Sequence, residues 1–362
     1  MSKRPIDHAK EACATMMRKF NAVDLPPVGR LHYHQGVFLS GVHKVYELCK
    51  DEALFNYVKQ WVDCTVSEDG RVLIQRGIQM DDMQPGILLY QMMDRYDDPK
   101  YRLAIAFLMG QFAIYPKCEC GGIWHKDIYP NQMWLDGLYM GGPINAEYGK
   151  RFNSPAHFDF VVQQAKLMCE HTKDEKTGLW YHAWDESKKA VWANPETGKS
   201  AEFWGRSIGW VPVALLDDLD FIPREHSGWN EIAKMAADLL EAVAKYQDDK
   251  SGLWYQVVDK ANEPGNWLEI SCSNLFVAGI CKAVRLGVMD ERWLGVAKKG
   301  YEGAIAALGR DGDDVLLSNV CIGTGVGDYT HYINRPTSTN DLHGMGAYLL
   351  MCAEVEQVFD KF

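Results

Sequence analysis

The sequence has no Cys-x-x-Cys pair, no run of cysteines spaced as a disulfide framework, and no apolar stretch near the roughly 18 residues a membrane-crossing helix needs. Its ten cysteines are scattered from Cys13 to Cys352, a pattern that predicts free thiols in a reducing compartment. The opening MSKRPIDHAKEACATMMRKF has no apolar core of signal-peptide length, so a cytoplasmic location is expected. Positive charge is also short: 38 Lys and Arg face 49 Asp and Glu, for a net charge of −11. Long-range repulsion then argues against nucleic acid or an anionic membrane as a partner. HExxH, GxSxG and Walker patterns are missing. GTGVGD (323–328) lacks the preceding strand and following helix of a phosphate-binding loop and reads as a plain loop. Cys118, Cys120 and His125 are too few and too poorly spaced for zinc. No metal or cofactor is expected.

What is present is a large apolar fraction, 47% of 362 residues, with 24% charged, as in a globular protein with a substantial core. Twelve Trp and 17 Tyr are enough flat surface to line a sugar-sized pocket, although core packing is the commoner use of each. Helical periodicity dominates, with candidate helices near 7–20, 35–49, 52–66, 82–96, 99–115, 132–148, 155–171, 203–218, 228–246, 270–286, 291–307 and 341–359. Links after even-numbered helices are short, whereas those after odd-numbered helices are long (21–34, 67–81, 116–131, 172–202, 247–269 and 308–340). No hairpin of two helices can bury its apolar face alone, so six such hairpins must close into a ring. The expectation is an all-α fold, an (α/α)6 barrel formed by residues 1–362 as a single domain.

One turn is written twice. TGLWYHAWDE (177–186) returns as SGLWYQVVDK (251–260), in the fourth and fifth long loops. The shared half is read as architecture, and the divergence after it, His182 against Gln256, as a place where function could enter.

If the even helices are the inner ones, their starts meet at one mouth, and the uncommon residues cluster there. Asp136 in MWLDGLYM is flanked by apolar residues, which would raise its pKa and keep a proton available near neutral pH. The competing reading is a first-turn Asp favoured as an anion by the helix dipole, an effect of opposite sign. Asp81 and Asp82 supply a second carboxylate at a matching helix start, one of them a cap. His182 is either a packed histidine or a site residue. Arg206, between Trp204 and Trp210, is either a structural ion-pair partner or a carboxylate clamp. His125 and Lys126 add positive potential.

WHKDIYPNQMWLDGLYMGGPINAEYGK, YHAWDE, WGRSIGW and NDLHGMGAYLL resemble the unsaturated rhamnogalacturonyl hydrolases of glycoside hydrolase family 105, over about residues 30–360. The resemblance implies an (α/α)6 barrel and a metal-free hydrolysis of lyase products that carry a terminal 4,5-unsaturated uronic acid. In that chemistry an Asp protonates C4, water adds at C5, and the hemiketal opens to release the neighbouring sugar. The resemblance places the acid/base on Asp136, a second carboxylate on Asp81, and site residues on His182 and Arg206. Tyr33, His125, Lys126, Trp134, Trp210 and His343 match lining positions, and nothing is carried over for His34.

The implied partner is a small unsaturated oligosaccharide, with the chain a monomer or homodimer. Three alternatives stay open: an unsaturated glucuronyl hydrolase acting on glycosaminoglycan or ulvan lyase products, a sugar epimerase using paired histidines, and a non-catalytic oligosaccharide-binding toroid. The last has no use for Asp136.

Overall fold

The computed structural model describes residues 3–75, 77 and 79–362. Among these, all twelve expected helices form: α1 (Pro5–Lys19), α2 (Tyr33–Cys49), α3 (Glu52–Thr65), α4 (Ile87–Met93), α5 (Pro99–Ile114), α6 (Asp136–Arg151), α7 (Ala156–Thr172), α8 (Gly205–Asp218), α9 (Trp229–Ala244), α10 (Ile270–Arg285), α11 (Leu294–Ala306) and, last in the chain, α13 (Leu342–Val358). A short extra helix, α12 (Tyr329–Ile333), sits in the last long loop and was not expected.

The inner ring runs α2–α4–α6–α8–α10–α13 and back to α2; α6 meets α4 chiefly through residues 80–86 that precede it and a Tyr90 hydroxyl donating to Ile144 O, and the other neighbours pack directly. The burial pattern explains the assignment. Every residue of α10 from Ile270 to Val284 is buried, and α8 and α13 are buried nearly all round. Outer α9 buries only Trp229, Ile232, Ala233, Ala236, Leu239, Leu240, Ala242 and Val243, the stripe of an amphipathic surface helix. Glycine sets the closest approach in the ring. A Cβ on Gly346 of α13 would lie 2.6 Å from the Val37 backbone of α2, so the two helices touch main chain to main chain.

Two helix starts differ from expectation. Residues 80–86 form two 3-10 turns, Met80–Asp82 and Gln84–Gly86, because Pro85 cannot donate within an α-helix and α4 begins only after it. Residues 132–134 are not helical: strand β1 (Gln132–Trp134) pairs antiparallel with β2 (Ala183–Asp185), and α6 starts at Asp136.

The long loops are joined to one another by main-chain hydrogen bonds around the mouth. Leu31 N–H donates to Ile74 O (3.0 Å), Met80 to His125 O (3.0 Å), His125 to Gln132 O (2.8 Å) and Leu135 to His182 O (3.0 Å). The relay continues from His182 to Glu202 O (3.3 Å), Gly205 to Gln256 O (2.9 Å), Gln256 to Trp267 O (2.8 Å) and Ile270 to Asn319 O (3.3 Å). Loops that carry side chains for a site are thereby held as rigidly as the helices below them.

The repeated turn is one structure built twice. Gly178 and Gly252 both adopt positive φ (77° and 74°). Asp174 and Asp248 each accept from the backbone and hydroxyl three residues on, Thr177 in one copy and Ser251 in the other. Trp180 and Trp254 are both buried.

Candidate active site

A cavity of about 260 Å³ opens at the long-loop end. Tyr33, Asp81, His125, Lys126, Trp134 and Asp136, all expected from the sequence, lie on its wall. They come from three separate loops and meet because the starts of α2, α4 and α6 converge there.

Asp136 is the first residue of α6, preceded by Leu135 rather than by a side-chain cap. Its Oδ2 lies 3.2 Å from His182 Nε2. His182 Nδ1 in turn lies 2.6 Å from the Tyr332 hydroxyl, which also accepts Gly327 N–H at 3.3 Å. With the phenol donating to Nδ1, His182 carries its proton on Nε2 and gives it to Asp136. The sequence expectation of a raised pKa for Asp136 is reversed here. Burial does push it upward, but the His182 hydrogen bond, with the His182 and His125 rings close by, outweighs that, and the carboxyl lies below its ordinary value.

Asp81, rather than Asp82, faces the cavity. Lys126 Nζ reaches its Oδ2 at 2.6 Å, His32 Nε2 lies 3.5 Å from the same oxygen, and His125 Nε2 lies 3.6 Å from Oδ1. Burial would raise this carboxyl, yet those partners hold it well below the usual carboxylate range. Asp82 is fully buried beneath, with Gln79 Nε2 donating to it at 2.9 Å. Burial also brings His125 down to about 4, so its ring is neutral and stacks flat on Trp134 (centroids 4.5 Å apart, planes 13°).

Four expected residues stand behind the wall: His182, fully buried behind Asp136, and Arg206, Trp210 and His343. Arg206 is wholly buried over Trp204 (4.5 Å to the ring), and donates to Cys321 O (2.5 Å) and Ile322 O (2.8 Å). It anchors the loop that roofs the cavity. Trp210 is fully buried and stacks on Tyr139 (4.7 Å) inside the barrel. His343 is fully buried as well, its Nε2 3.0 Å from Cys321 O.

The sequence reading missed His32, His34, Tyr129, Trp204, Thr324 and Arg335 on the wall, and Tyr332 behind it. The signal for His125 as a counterpart of His182 was present but unused. Counting from the bridge in each hairpin (Val66–Val72, Lys117–Ile123 and Lys173–Trp180), the residue two places further on is Ile74, His125 and His182. Gln256 holds the same place in the next copy, where its Nε2 donates to Tyr332 O (3.1 Å). One register position in successive loops thus carries His125, His182 and Gln256.

Among the described residues two groups have the donor chemistry for a metal: His34, Asp341 and His343, and Cys118, Cys120 and Glu186. His125 is not with the two thiols; it is turned to Asp81 and Trp134. Among the described residues no helix is long and apolar enough to cross a membrane.

A toroid of paired helices whose mouth holds two carboxylates among stacked aromatic rings is the architecture of a carbohydrate-cleaving enzyme. The chain belongs to glycosyl hydrolase family 88, whose sequence profile matches residues 8–359, and with the structures it resembles to glycoside hydrolase family 105; it is a glycoside hydrolase. A family 105 glycoside hydrolase from C. acetobutylicum ATCC 824 is 34% identical, superposes with a TM-score of 0.92, and covers 96% of this chain and 99% of its own. The unsaturated rhamnogalacturonyl hydrolase YesR of Bacillus subtilis (strain 168) is 27% identical over 298 residues, 80% of this chain and 79% of that protein. The unsaturated glucuronyl hydrolase of Bacillus sp. GL1 shares the fold at 14% identity and a TM-score of 0.69.

Proposed function

We propose that the chain removes a terminal 4,5-unsaturated uronic acid from small oligosaccharides by hydrating the C4=C5 double bond, with unsaturated galacturonate linked to rhamnose as the preferred substrate. The observation that carries this reading is the pairing of two unlike carboxylates on one wall. Asp81 is held as an anion by the His32 hydrogen bond and by Lys126, and cannot readily act as a nucleophile. Asp136 is met by His182 at 3.2 Å and can exchange a proton. The likeness to YesR supports the choice of sugar.

The chemistry follows from those two environments. The substrate brings its own carboxylate to the cavity, where Lys126 and Arg335 are the wall cations among the described residues. A third negative charge beside Asp81 and Asp136, with water displaced, raises the affinity of Asp136 for a proton. Asp136 delivers that proton to C4. Positive charge grows at C5 and the ring oxygen, and the fixed anion of Asp81 stabilises it. Water adds at C5 and returns its proton to Asp136, with His182 keeping the carboxyl in place. The C5 hemiketal then opens, the C1 linkage is lost with it, and the neighbouring sugar leaves.

The test is a panel of unsaturated disaccharides from pectin, ulvan and glycosaminoglycan lyases, followed by loss of the ultraviolet absorbance of the conjugated double bond. Turnover in deuterated or heavy-oxygen water should place deuterium at C4 and the heavy oxygen at C5. Product that retains the double bond would rule the hydration route out, and preference for a glycosaminoglycan disaccharide would move the chain to the glucuronyl reading.

A further inference from the structure

Outer helix α5 differs from its neighbours in what it shows to solvent. α7 exposes Asp159, Lys166 and Glu170, and α9 exposes Glu231, Lys234 and Asp238, as amphipathic surface helices do. From Leu103 to Pro116 the chain has no charged residue. Yet Leu103 (50% exposed), Phe107 (46%) and Ile114 (74%) lie open, with Ala106, Gly110 and Ala113 exposed beside them. Gly110 serves nothing inside the chain: a Cβ there would meet no atom within 4 Å, although glycine in mid-helix costs stability. An apolar face whose glycine only an outside neighbour can use is a packing surface.

The face has two unlike sides. At the helical repeat Gly110 is central, with Leu103, Phe107 and Ile114 to one side and Ala106 and Ala113 to the other. The first side adjoins the hairpin closed by the Val66–Val72 bridge. There Gln75 and Gln111 exchange side-chain hydrogen bonds (2.6 and 2.7 Å), and a Cβ on Gly70 would lie 2.3 Å from Leu103 Cβ. The second side is one wall of a groove of about 440 Å³, completed by Tyr148 of α6 and His157 and Phe160 of α7. A ridge of large residues thus runs beside a groove floored by small ones.

We infer that α5 is the interface of a homodimer whose two-fold axis runs along the helix. That sense of pairing sets the ridge of each copy into the groove of the other, whereas an antiparallel pairing lays ridge on ridge. The crossing falls at Gly110, where the two backbones come closest, and both cavities open to the same side. Charge fits the same arrangement. Arg102 stands on the groove side against the Phe152 ring (5.9 Å), with no carboxylate partner among the described residues. Glu68 and Asp69 stand exposed on the hairpin, on the ridge side. The two-fold brings Arg102 of each copy to Glu68 and Asp69 of the other. A chain of net charge −11 repels its own copy, and that repulsion is least across an uncharged face.

The inference does not depend on the reaction proposed above, and its test reads mass rather than turnover. Sedimentation equilibrium and light scattering of the full-length chain at micromolar concentration should give twice the chain mass. Phe107→Glu/Ile114→Glu places charge on the exposed ridge and should weaken dimerisation by about a hundredfold or more, with the circular dichroism spectrum unchanged. Arg102→Glu should weaken it by about tenfold, and adding Glu68→Lys/Asp69→Lys to the same chain should restore it. Gly110→Cys should cross-link two chains under mild oxidation, while Lys234→Cys on α9 should not. A monomeric wild-type chain, a dimer indifferent to Phe107→Glu/Ile114→Glu, a charge reversal without rescue, or a Gly110→Cys variant that fails to cross-link would overturn the assignment.

Discussion

Asp136 and His182 meet across 3.2 Å, and the histidine is itself held by Tyr332 at 2.6 Å. The Asp136 carboxyl therefore sits at the end of a chain of hydrogen bonds that begins in a loop about 200 residues away in sequence. Its orientation is set before any substrate arrives, which is what a positioned proton donor requires.

Asp136→Asn keeps the shape and the contact with His182 but cannot transfer a proton. Turnover of the preferred unsaturated disaccharide should fall by at least ~10³-fold, with substrate affinity and melting temperature nearly unchanged. Ultraviolet-monitored kinetics and calorimetry read the two effects separately. Near-normal turnover in the folded variant removes Asp136 from the reaction.

Tyr332→Phe takes the donor from His182 Nδ1 and frees the ring to flip or change tautomer. Losing one such hydrogen bond, at about 1–3 kcal/mol, corresponds to a fall in kcat of roughly 10- to 100-fold with little change in KM. A KM effect alone would assign Tyr332 to packing.

Lys126→Met removes the 2.6 Å partner of Asp81. The Asp81 pKa should rise toward its ordinary value and KM for the anionic substrate should increase at least tenfold. Infrared titration of the carboxylate band follows the first effect, steady-state kinetics the second; no movement in either would show the ion pair to be ornamental.

Burial brings both His43 and His125 down to about 4. Each is then neutral in the folded chain while its unfolded counterpart, near 6.5, takes up a proton as the medium turns acid. The unfolded state binds more protons, so stability is fully present above about pH 6.5 and is lost as pH falls toward 4. Melting temperature should drop through that window, and His43→Gln, far from the cavity at the base of the barrel, should flatten the drop. An unchanged slope in that variant means His43 is already protonated in the native state.

The two copies of the repeated turn should respond unequally to alanine. Both glycines have positive φ, at a cost of about 1–2 kcal/mol for any Cβ. At Gly178 the new methyl would meet only the Ala242 side chain at 3.0 Å, whereas at Gly252 it would lie 2.3 Å from the Lys299 carbonyl oxygen. Gly252→Ala should lose clearly more stability than Gly178→Ala in urea unfolding; equal losses would mean that backbone conformation alone sets the cost.

The helices and their closure into a ring were legible in the sequence because both rest on local or one-dimensional information. Periodicity of apolar residues marks a helix, and alternating loop lengths mark which end of each hairpin carries the elaboration. Asp136, Asp81, His125, Lys126 and Trp134 stood out for the same reason, as unusual types at helix starts. The ionisation of Asp136, the inward use of Arg206 and the burial of Trp210 and His343 were decided only by the tertiary structure. Charge and hydrogen-bond effects act over a few ångströms of space, and the groups that act on Asp136 come from other loops: His182, 46 residues on, and Tyr332 behind it. A chain can state which residues reach the mouth of the barrel, but the neighbours each one meets there exist only once the ring has closed.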